Sequence, residues 1–421
     1  MTDRHAVPER LVLLSLDWLR AKDPRTSLGH ASLLAQLKAA PKLEVVSVQR
    51  AVNASTFDRR EVLAAVREAI RGAHSDLGIG VYVWNDEIVR WLLCELRRGG
   101  FAGRIILGGP QVSYAPQGIA QEYPEADVVI RGYGEQALLA VVTSPPGTEV
   151  RGAVLQGKPD RVLQADADLE ALPSPILSGL LPVQPFMRWE TQRGCVYACS
   201  FCQHREPGAR LRRRTLGAGR VRDEIDALVA GGARDIAVLD PIFNSNPDAT
   251  AILERFVDRG YRGRLSLQSR FELLDDSFLD ACQQLDVVLE FGLQTVVASE
   301  MRAASRINRL DKIAEAIQAL HARNIPFEVS LIYGLPTQTL SSFRDTVRWC
   351  QDRGVSVIRA FPLMLLRGTK LHRERARWGL VESDDPIPVV VQSDSFGRSE
   401  WEAMRALADA LNNPTLLEGA A

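Results

Sequence analysis

Two runs of alternating apolar and amphipathic segments constrain this chain more than anything else in it. The first begins with "LVLLSL" at 11–16, then "SLGHASLLAQLKAA", "LEVVSVQ" and "DRREVLAAVREAIRGA". It continues through "LGIGVYVW", "NDEIVRWLLCELRRGG" and "RIILGG" to "EADVVIRGYGEQALLAVV", which ends at Val142. Short continuous apolar runs read as strands buried on both faces, and the segments between them carry a helical period. Strands alternating with helices predict a parallel, doubly wound sheet. Such sheets bind ligands beyond the carboxyl ends of their strands. Here those ends are the turns Asp17–Gly29, Trp84–Asp86, Gly108–Ser113 and Gly132–Glu135, all rich in small or polar residues. Gly108 and Gly109 would let a backbone approach a flat or phosphate-bearing ligand closely.

Residues 147–185 break the pattern. "DADLEALPSPILSGLLPVQP" has prolines at 173, 175, 182 and 185 and predicts a connection laid over the surface. The second run follows, with strands in "FMRWETQRG", "RDIAVLDPIFN", "RLSLQSRFE", "DVVLEFGLQT", "PFEVSLIYGLP" and "VSVIRAFPLMLL". Helical stretches such as "KIAEAIQALHARN" and "LSSFRDTVRWCQDRG" separate them. About six βα units are too few to close an eight-stranded barrel, so a partial barrel is expected, with its site at the carboxyl ends of the strands. The expected organisation is an α/β domain over 1–146, a linker over 147–185, a partial barrel over 186–375 and a small cap over 376–421.

At the end of the first strand of the second run stands "RGCVYACSFCQHR", with Cys195, Cys199 and Cys202 inside eight positions. The N-terminal "MTDRHAVPERLVLLSLDWLRAKD" has too short an apolar run for a secretion signal, and no stretch is long enough to span a membrane. A cytoplasmic protein with reduced thiols is the expectation, so clustered cysteines point to metal or redox chemistry. The scattered Cys94, Cys282 and Cys350 read as buried, inert thiols. A formal charge of −1 gives no global pull toward nucleic acid or membrane.

A structural zinc site closes with four ligands. His204 is the nominal fourth here, but the spacing is cramped and no second C-x-x-C pair exists in the chain. A cluster with four cysteine ligands lacks one thiolate. Three thiolates suit a four-iron cluster with one iron left open to a small molecule.

The C-x-x-x-C-x-x-C spacing, with Phe201 before its last cysteine, resembles the signature of the radical S-adenosylmethionine (SAM) enzymes. "YVWN" at 82–85, "IILGGPQVSY" at 105–114 and "DVVIRGYGE" at 127–135 look like the N-terminal domain of the cobalamin-binding class of that family. "LPSPILSG", "LDPIFN", "GLQT", "LIYGLP" and "FPLMLLRGT" are similar to that class as well, so the resemblance runs from about Leu11 to Trp401. It implies a Rossmann-like cobalamin-binding domain followed by a (β/α)6 radical SAM barrel.

Residue by residue, it implies that Cys195, Cys199 and Cys202 hold a [4Fe–4S] cluster whose open iron binds SAM. Phe201, Asp240, Asn244, Arg270, Glu272, Gln294, Gly334, Pro336 and Leu363 would surround SAM, Gln294 at the ribose and Gly334 and Pro336 at the adenine. Arg270 and Glu272 also read simply as a salt-linked strand end. Trp84, Asn85, Gly108, Gly109, Ser113 and Gly132 would surround cobalamin. The D-x-H-x-x-G motif that supplies a histidine to cobalt in many cobalamin proteins is absent, and His30 reads as a helix-start residue. A domain that keeps the fold without the cofactor is the alternative.

The run of Arg210, Arg212, Arg213, Arg214, Arg220 and Arg222 reads as a solvated helix approach, or as a dock for an acidic electron donor such as flavodoxin. The resemblance implies a C-methyltransferase acting on a small-molecule or peptide substrate. Two other readings stand beside it. One is a radical enzyme of the same domains that makes no methyl group. The other is a non-catalytic iron–sulfur binding or sensor protein.

Overall fold

The structure is a computed structural model and describes residues 8–71, 74–204 and 212–413. Arg210 of the arginine run lies outside them. The chain divides between Val183 and Gln184 into two compact units.

The first unit holds β1 (Arg10–Asp17), β2 (Glu44–Ala51), β3 (Ser75–Gly80), β4 (Ile105–Gly108), β5 (Val128–Ile130) and β6 (Ala153–Leu155). Its helices are α1 (Leu28–Leu37), α2 (Arg59–Ala69), α3 (Asp86–Arg98), the one-turn α4 (Pro110–Ser113) and α5 (Ile119–Glu122), and α6 (Gly134–Thr143). The strand order is β2-β1-β3-β4-β5-β6, parallel except for β6. The sequence of β1 explains the two-sided sheet. Val12, Leu14 and Leu16 point into one core with Val62 and Val66 of α2 and Val89 and Leu92 of α3. Leu11 and Leu13 point the other way, into a core with Leu37 of α1 and Leu138 and Val141 of α6. The order reverses between β1 and β3, and a crevice opens beyond strand ends at such a point.

β6 falls inside the segment expected to be a surface connection. That segment is tied down further by Asp160, whose carboxylate pairs with fully buried Arg131 at 2.6 Å. Arg131 also donates to the carbonyls of Val112, Ala115 and Pro116. Leu169, Leu172, Ile176 and Leu181 are buried as well. Surface composition alone misreads this stretch, because its prolines interrupt regular structure without removing its apolar anchors.

The second unit begins with β7 (Phe186–Trp189), β8 (Gln192–Cys195), β9 (Arg212–Thr215), β10 (Asp235–Val238) and β11 (Arg264–Ser269). Its later strands are β12 (Asp286–Gln294), β13 (Phe327–Tyr333), β14 (Ile358–Pro362), β15 (Val381–Glu382) and β16 (Val390–Gln392). Its helices are α7 (Ala218–Ala230), α8 (Ala249–Asp258), α9 (Asp276–Cys282), α10 (Ala298–Ala303), α11 (Leu310–Ala322), α12 (Leu340–Gln351), α13 (Lys370–Arg373) and α14 (Arg398–Asn412). Six strands form an open parallel sheet in the order β7-β10-β11-β12-β13-β14, each next in sequence beside the last.

Alternation along β12 and β13 buries every second residue under helices and leaves the others half exposed. Trp189 shows which face is covered: its indole N–H donates to Glu224 of α7 at 2.7 Å, and its ring meets Phe256 of α8 edge-on. Tyr333 likewise packs on Phe343 of α12 and Trp401 of α14. The uncovered face carries Gln268, Glu290, Gly292, Gln294, Ser330 and Ile332. The edge strand β14 is closed by a side chain. Asn412 accepts from the Ala360 N–H and donates to the Ala360 carbonyl, as a neighbouring strand would.

The arginine run departs from its expected helix approach. Arg212, Arg213 and Arg214 lie on β9, antiparallel to β8, with Cys195 paired to Arg212.

Candidate functional site

The three cysteines sit on a loop that starts from a hairpin and is held at its far side by later parts of the chain. Gly194 precedes Cys195 at φ +81°, and a Cβ there would lie 2.5 Å from the Arg212 carbonyl, so only glycine fits. Further along, the Ser200 N–H donates to the Ala304 carbonyl and its hydroxyl to the Ala303 carbonyl, both at 2.8 Å. The Ser200 carbonyl accepts from the Leu371 N–H at 2.9 Å. Gln203 donates to the Arg367 carbonyl at 2.7 Å. These bonds fix the loop against the end of α10 and against α13.

All three cysteines are half buried and unbridged. Burial pushes the Cys195 thiol up and the Cys202 thiol up to about 11, with Arg306 opposing in both cases. The Cys195 and Cys202 thiols therefore carry protons until a metal displaces them. Arg306 Nη1 lies 3.7 Å from Cys199 Sγ. Arg270 lies over the Tyr197 ring at 4.0 Å and pairs with Glu272 at 3.2 Å. Two guanidinium groups thus flank a loop whose cysteines become anionic when metallated. Among the described residues, no three His, Cys, Asp or Glu side chains converge tightly enough for a single ion. Thiolates on separate irons of a cluster need no such convergence, so the donor set fits a polynuclear group.

Asp240, expected at SAM, is instead sealed in the protein. It accepts from the N–H groups of Thr191 and Gln192 and from the Thr191 hydroxyl. Burial pushes its carboxyl up to about 7, with the Thr191 donors opposing. Its effect is to shape the turn that leads from β7 into the cysteine hairpin. Asn244 also acts on the backbone: its amide accepts from the Arg270 N–H and donates to the Arg270 carbonyl. It thereby fixes the end of β11 from which Arg270 and Glu272 project.

Gln294 ends β12 at a bulge, with φ +69° and a buried Oε1 that has no hydrogen-bond partner. Strained backbone and an unmet buried acceptor are features that cluster at functional positions. Arg306 Nε is likewise buried without a partner, while its Nη2 donates to the Gly292 carbonyl. Gly334 turns the chain at φ +90°, and Pro336 is buried beside it. Leu363 is also buried, its N–H bonded to the Tyr333 carbonyl, so it backs the turn. Phe201 is half buried on the loop.

The first unit sorts its expected residues differently. A Cβ on Gly108 would meet nothing within 4 Å, so the space in front of it is open. By contrast, a Cβ on Gly109 would lie 2.6 Å from the Val81 carbonyl, and one on Gly132 would lie 2.5 Å from the Ala165 carbonyl. Protein backbone, not a ligand, requires those two glycines. Ser113 spends its hydroxyl on the Gly132 N–H. Asn85 is buried, donates to the Leu16 and Gly80 carbonyls and accepts from the Tyr82 N–H. Trp84 donates to the Leu16 carbonyl and stacks on Tyr82, with centroids 4.5 Å apart. Trp84 and Asn85 thus join the ends of β1 and β3 where the strand order reverses. His30 is buried against Ser47 at 2.8 Å, and burial lowers its pKa to about 4.

Cys282 and Cys350 are buried as expected, whereas Cys94 is half exposed and donates to Glu125. Sequence reasoning missed Ser200, Tyr197 and Arg306. The partners of Ser200 and Arg306 lie about a hundred residues away, so no local pattern announces them.

The Radical SAM superfamily model matches residues 189–350, which contain all three cysteines and the strands that frame them. Residues 189–350 therefore form a radical SAM domain. Domains of this family take a [4Fe–4S] cluster and SAM, and Cys195, Cys199 and Cys202 fall inside the matched stretch. The chain is 27% identical over 332 residues to the cobalamin-dependent radical SAM methyltransferase TokK of Streptomyces tokunonensis, which covers 70% of this chain and 48% of TokK. It is 26% identical over 380 residues to 2-(S-pantetheinyl)-carbapenam-3-carboxylate methyltransferase of Streptantibioticus cattleyicolor, covering 77% of this chain and 54% of that protein. The chain therefore spans about half the length of these curated relatives. Its fold is that of the radical SAM methyltransferase TsrM from Kitasatospora setae, at TM-score 0.75 and 17% identity, over 97% of this chain and 90% of the TsrM chain.

Proposed function

We propose that this radical SAM enzyme is cobalamin-dependent and transfers a methyl group to an unactivated carbon of a small-molecule or peptide natural product. The observation that carries the reading is the three-cysteine loop, fixed at the carboxyl end of the second sheet with two arginines beside it, in one chain with a doubly wound sheet whose strand order reverses. In this reading the first unit is the cobalamin-binding domain and the second a partial (β/α)6 barrel. The similarity to a cobalamin-dependent radical SAM methyltransferase and to a carbapenam-carboxylate methyltransferase supports it.

The cluster, when bound, supplies an open iron for reductive SAM cleavage, and cobalamin supplies a cobalt that carries methyl. The chain's own residues prepare these sites. Cys195, Cys199 and Cys202 hold the cluster. Arg270, with Glu272, presents a guanidinium suited to a carboxylate. Gln294 Oε1 offers an acceptor to a ribose hydroxyl, and the Gly334 turn brings backbone close to the adenine. On the first unit, Gly108 leaves room for the corrin or its tail, and Trp84 closes the crevice at the strand reversal. His30, buried against Ser47, stays off the cobalt. Arg212 and Arg213 of β9 give an acidic electron donor such as flavodoxin a positive edge to meet. Among the described residues no helix is long and apolar enough to cross a membrane.

The test is anaerobic incubation of iron-reconstituted protein with SAM, reductant, hydroxocobalamin and candidate acceptors, with every SAM-derived product weighed by mass. The expected result is S-adenosylhomocysteine and 5′-deoxyadenosine in equal amounts with a methylated acceptor. Deoxyadenosine with no methylated product would make it a radical enzyme of another kind. S-adenosylhomocysteine alone would mean polar methyl transfer, and methylthioadenosine would mean aminocarboxypropyl chemistry. Iron loading with none of these products would leave an iron–sulfur binding protein. Alanine at Cys195, Cys199 or Cys202 should remove both iron and deoxyadenosine.

A further inference from the structure

Helix α10 touches two parts of the site at once. Its C-terminal carbonyls, at Ala303 and Ala304, receive both donors of Ser200 from the cysteine loop. Earlier in the same helix, the side chain of Glu300 is fully buried. Glu300 Oε2 accepts from the Thr295 hydroxyl at 2.5 Å and from the Gln338 amide at 3.2 Å. Gln338, also fully buried, uses its Oε1 to accept from the N–H groups of Gly334 and Leu335 at 2.7 and 3.2 Å. The remaining Gln338 donor goes to the Ile332 carbonyl. Thr295 stands next to the strained Gln294, and Asn308 donates to the carbonyls on either side of Gln294. Glu300 Oε1 makes no hydrogen bond of ordinary geometry, the Ser342 side chain lies near the carboxyl, and burial pushes its pKa up, so the group is held there at a cost to stability.

We propose that Glu300 is a positioning residue, which through Gln338 sets the Gly334 turn while the backbone of its own helix sets the cysteine loop. It touches no reacting atom. It registers the two halves of the SAM site against each other from one rigid element. The inference rests on the functional reading above for what the site binds, though the coupling itself is a property of the protein alone.

The first test therefore needs no cofactor. Hydrogen exchange is followed on the full chain and on Glu300→Ala at the amides of Gly334, Leu335 and Ser200. Loss of the carboxyl that holds Gln338 and anchors the helix should speed exchange at all three by about tenfold or more. Acceleration at Gly334 and Leu335 with Ser200 unchanged would overturn the coupling. No change anywhere would overturn the role of Glu300 altogether.

The second test uses iron-reconstituted protein and SAM in equilibrium titration. Glu300→Ala should keep its iron and bind SAM about tenfold more weakly. Equal affinity with iron retained would refute the inference. A wild-type protein that fails to bind SAM would refute the functional reading instead, and the exchange result would still stand.

A double exchange separates positioning from mere stability. Glu300→Gln together with Gln338→Glu keeps one carboxylate and one amide in the pocket, with the carboxylate now accepting from Gly334 and Leu335. It should restore both exchange protection and SAM affinity, whereas Gln338→Glu alone sets two carboxyls against each other and should restore neither. A double variant no better than the singles would overturn the proposal.

Discussion

Arg306 Nη1 points at Cys199 Sγ across 3.7 Å, and its Nη2 is anchored on the Gly292 carbonyl of β12. A fixed positive charge and an N–H directed at a thiolate both favour an added electron on whatever that thiolate ligates. Arg306→Met should shift the midpoint potential of the reconstituted cluster to more negative values, with Arg306→Lys in between. A redox titration followed by electron paramagnetic resonance measures this directly. An unchanged potential in Arg306→Met would mean that the guanidinium serves another ligand.

The glycines of the first unit should separate into two classes. Gly109→Ala and Gly132→Ala force a side chain into the left-handed region and against backbone, at φ +94° and +87°. Each should destabilise the protein by about 1–2 kcal/mol from conformation alone, read as an earlier midpoint in urea. Gly108→Leu should leave that midpoint in place and weaken hydroxocobalamin binding, followed by its absorbance. Normal binding by Gly108→Leu would remove this turn from the proposed cobalamin site.

Breaking the Arg131–Asp160 pair should be costly, because Arg131 has no exposure at all. Asp160→Ala leaves a buried guanidinium without its counter-charge, and about 3–5 kcal/mol of stability should go with it. Urea denaturation monitored in the first unit provides the measurement. A loss below about 1 kcal/mol, the scale of a surface pair, would mean that water reaches Arg131.

His30 should give the protein an acid-side weakness. Burial lowers its folded pKa from 6.5 to about 4, so the unfolded chain takes up the proton first. Its contribution is complete above pH 6.5 and is lost progressively as pH falls toward 4. The loss should amount to about 3 kcal/mol at most. His30→Gln keeps a partner for Ser47 and cannot titrate, so its unfolding free energy should be flatter over that window. Identical pH profiles for the two proteins would show that His30 is hydrated.

The two parallel sheets were legible because their strands are buried, and burial leaves a period in the sequence. Gly194–Cys195 and Arg212–Arg214 were not legible as a hairpin. Neither stretch is apolar, and their pairing is made by the loop between them. Buried polar groups leave no period at all: Glu300, Gln338 and Arg306 carry their meaning only in partners distant along the chain. Gly109 and Gly132 stood out in the sequence as turn glycines, but the backbone that crowds them did not. Their crowding comes from Val81 and Ala165, on neighbouring segments that sequence spacing cannot place. Asp240 was found for its position after a strand, while its burial turned it from a ligand contact into a scaffold.

The anchoring of the cysteine loop sets an order of events during synthesis. Ser200 waits 103 residues for Ala303, and Gln203 waits 164 residues for Arg367. At the pace of translation the thiols stand unheld for about ten to thirty seconds after they are made. Iron delivered in that interval would meet a loop with no fixed geometry, open to any oxidant at hand. Nascent chains stalled before Ala303 should accordingly take up no cluster, and assembly becomes a step that must wait until the chain has been made through Arg367.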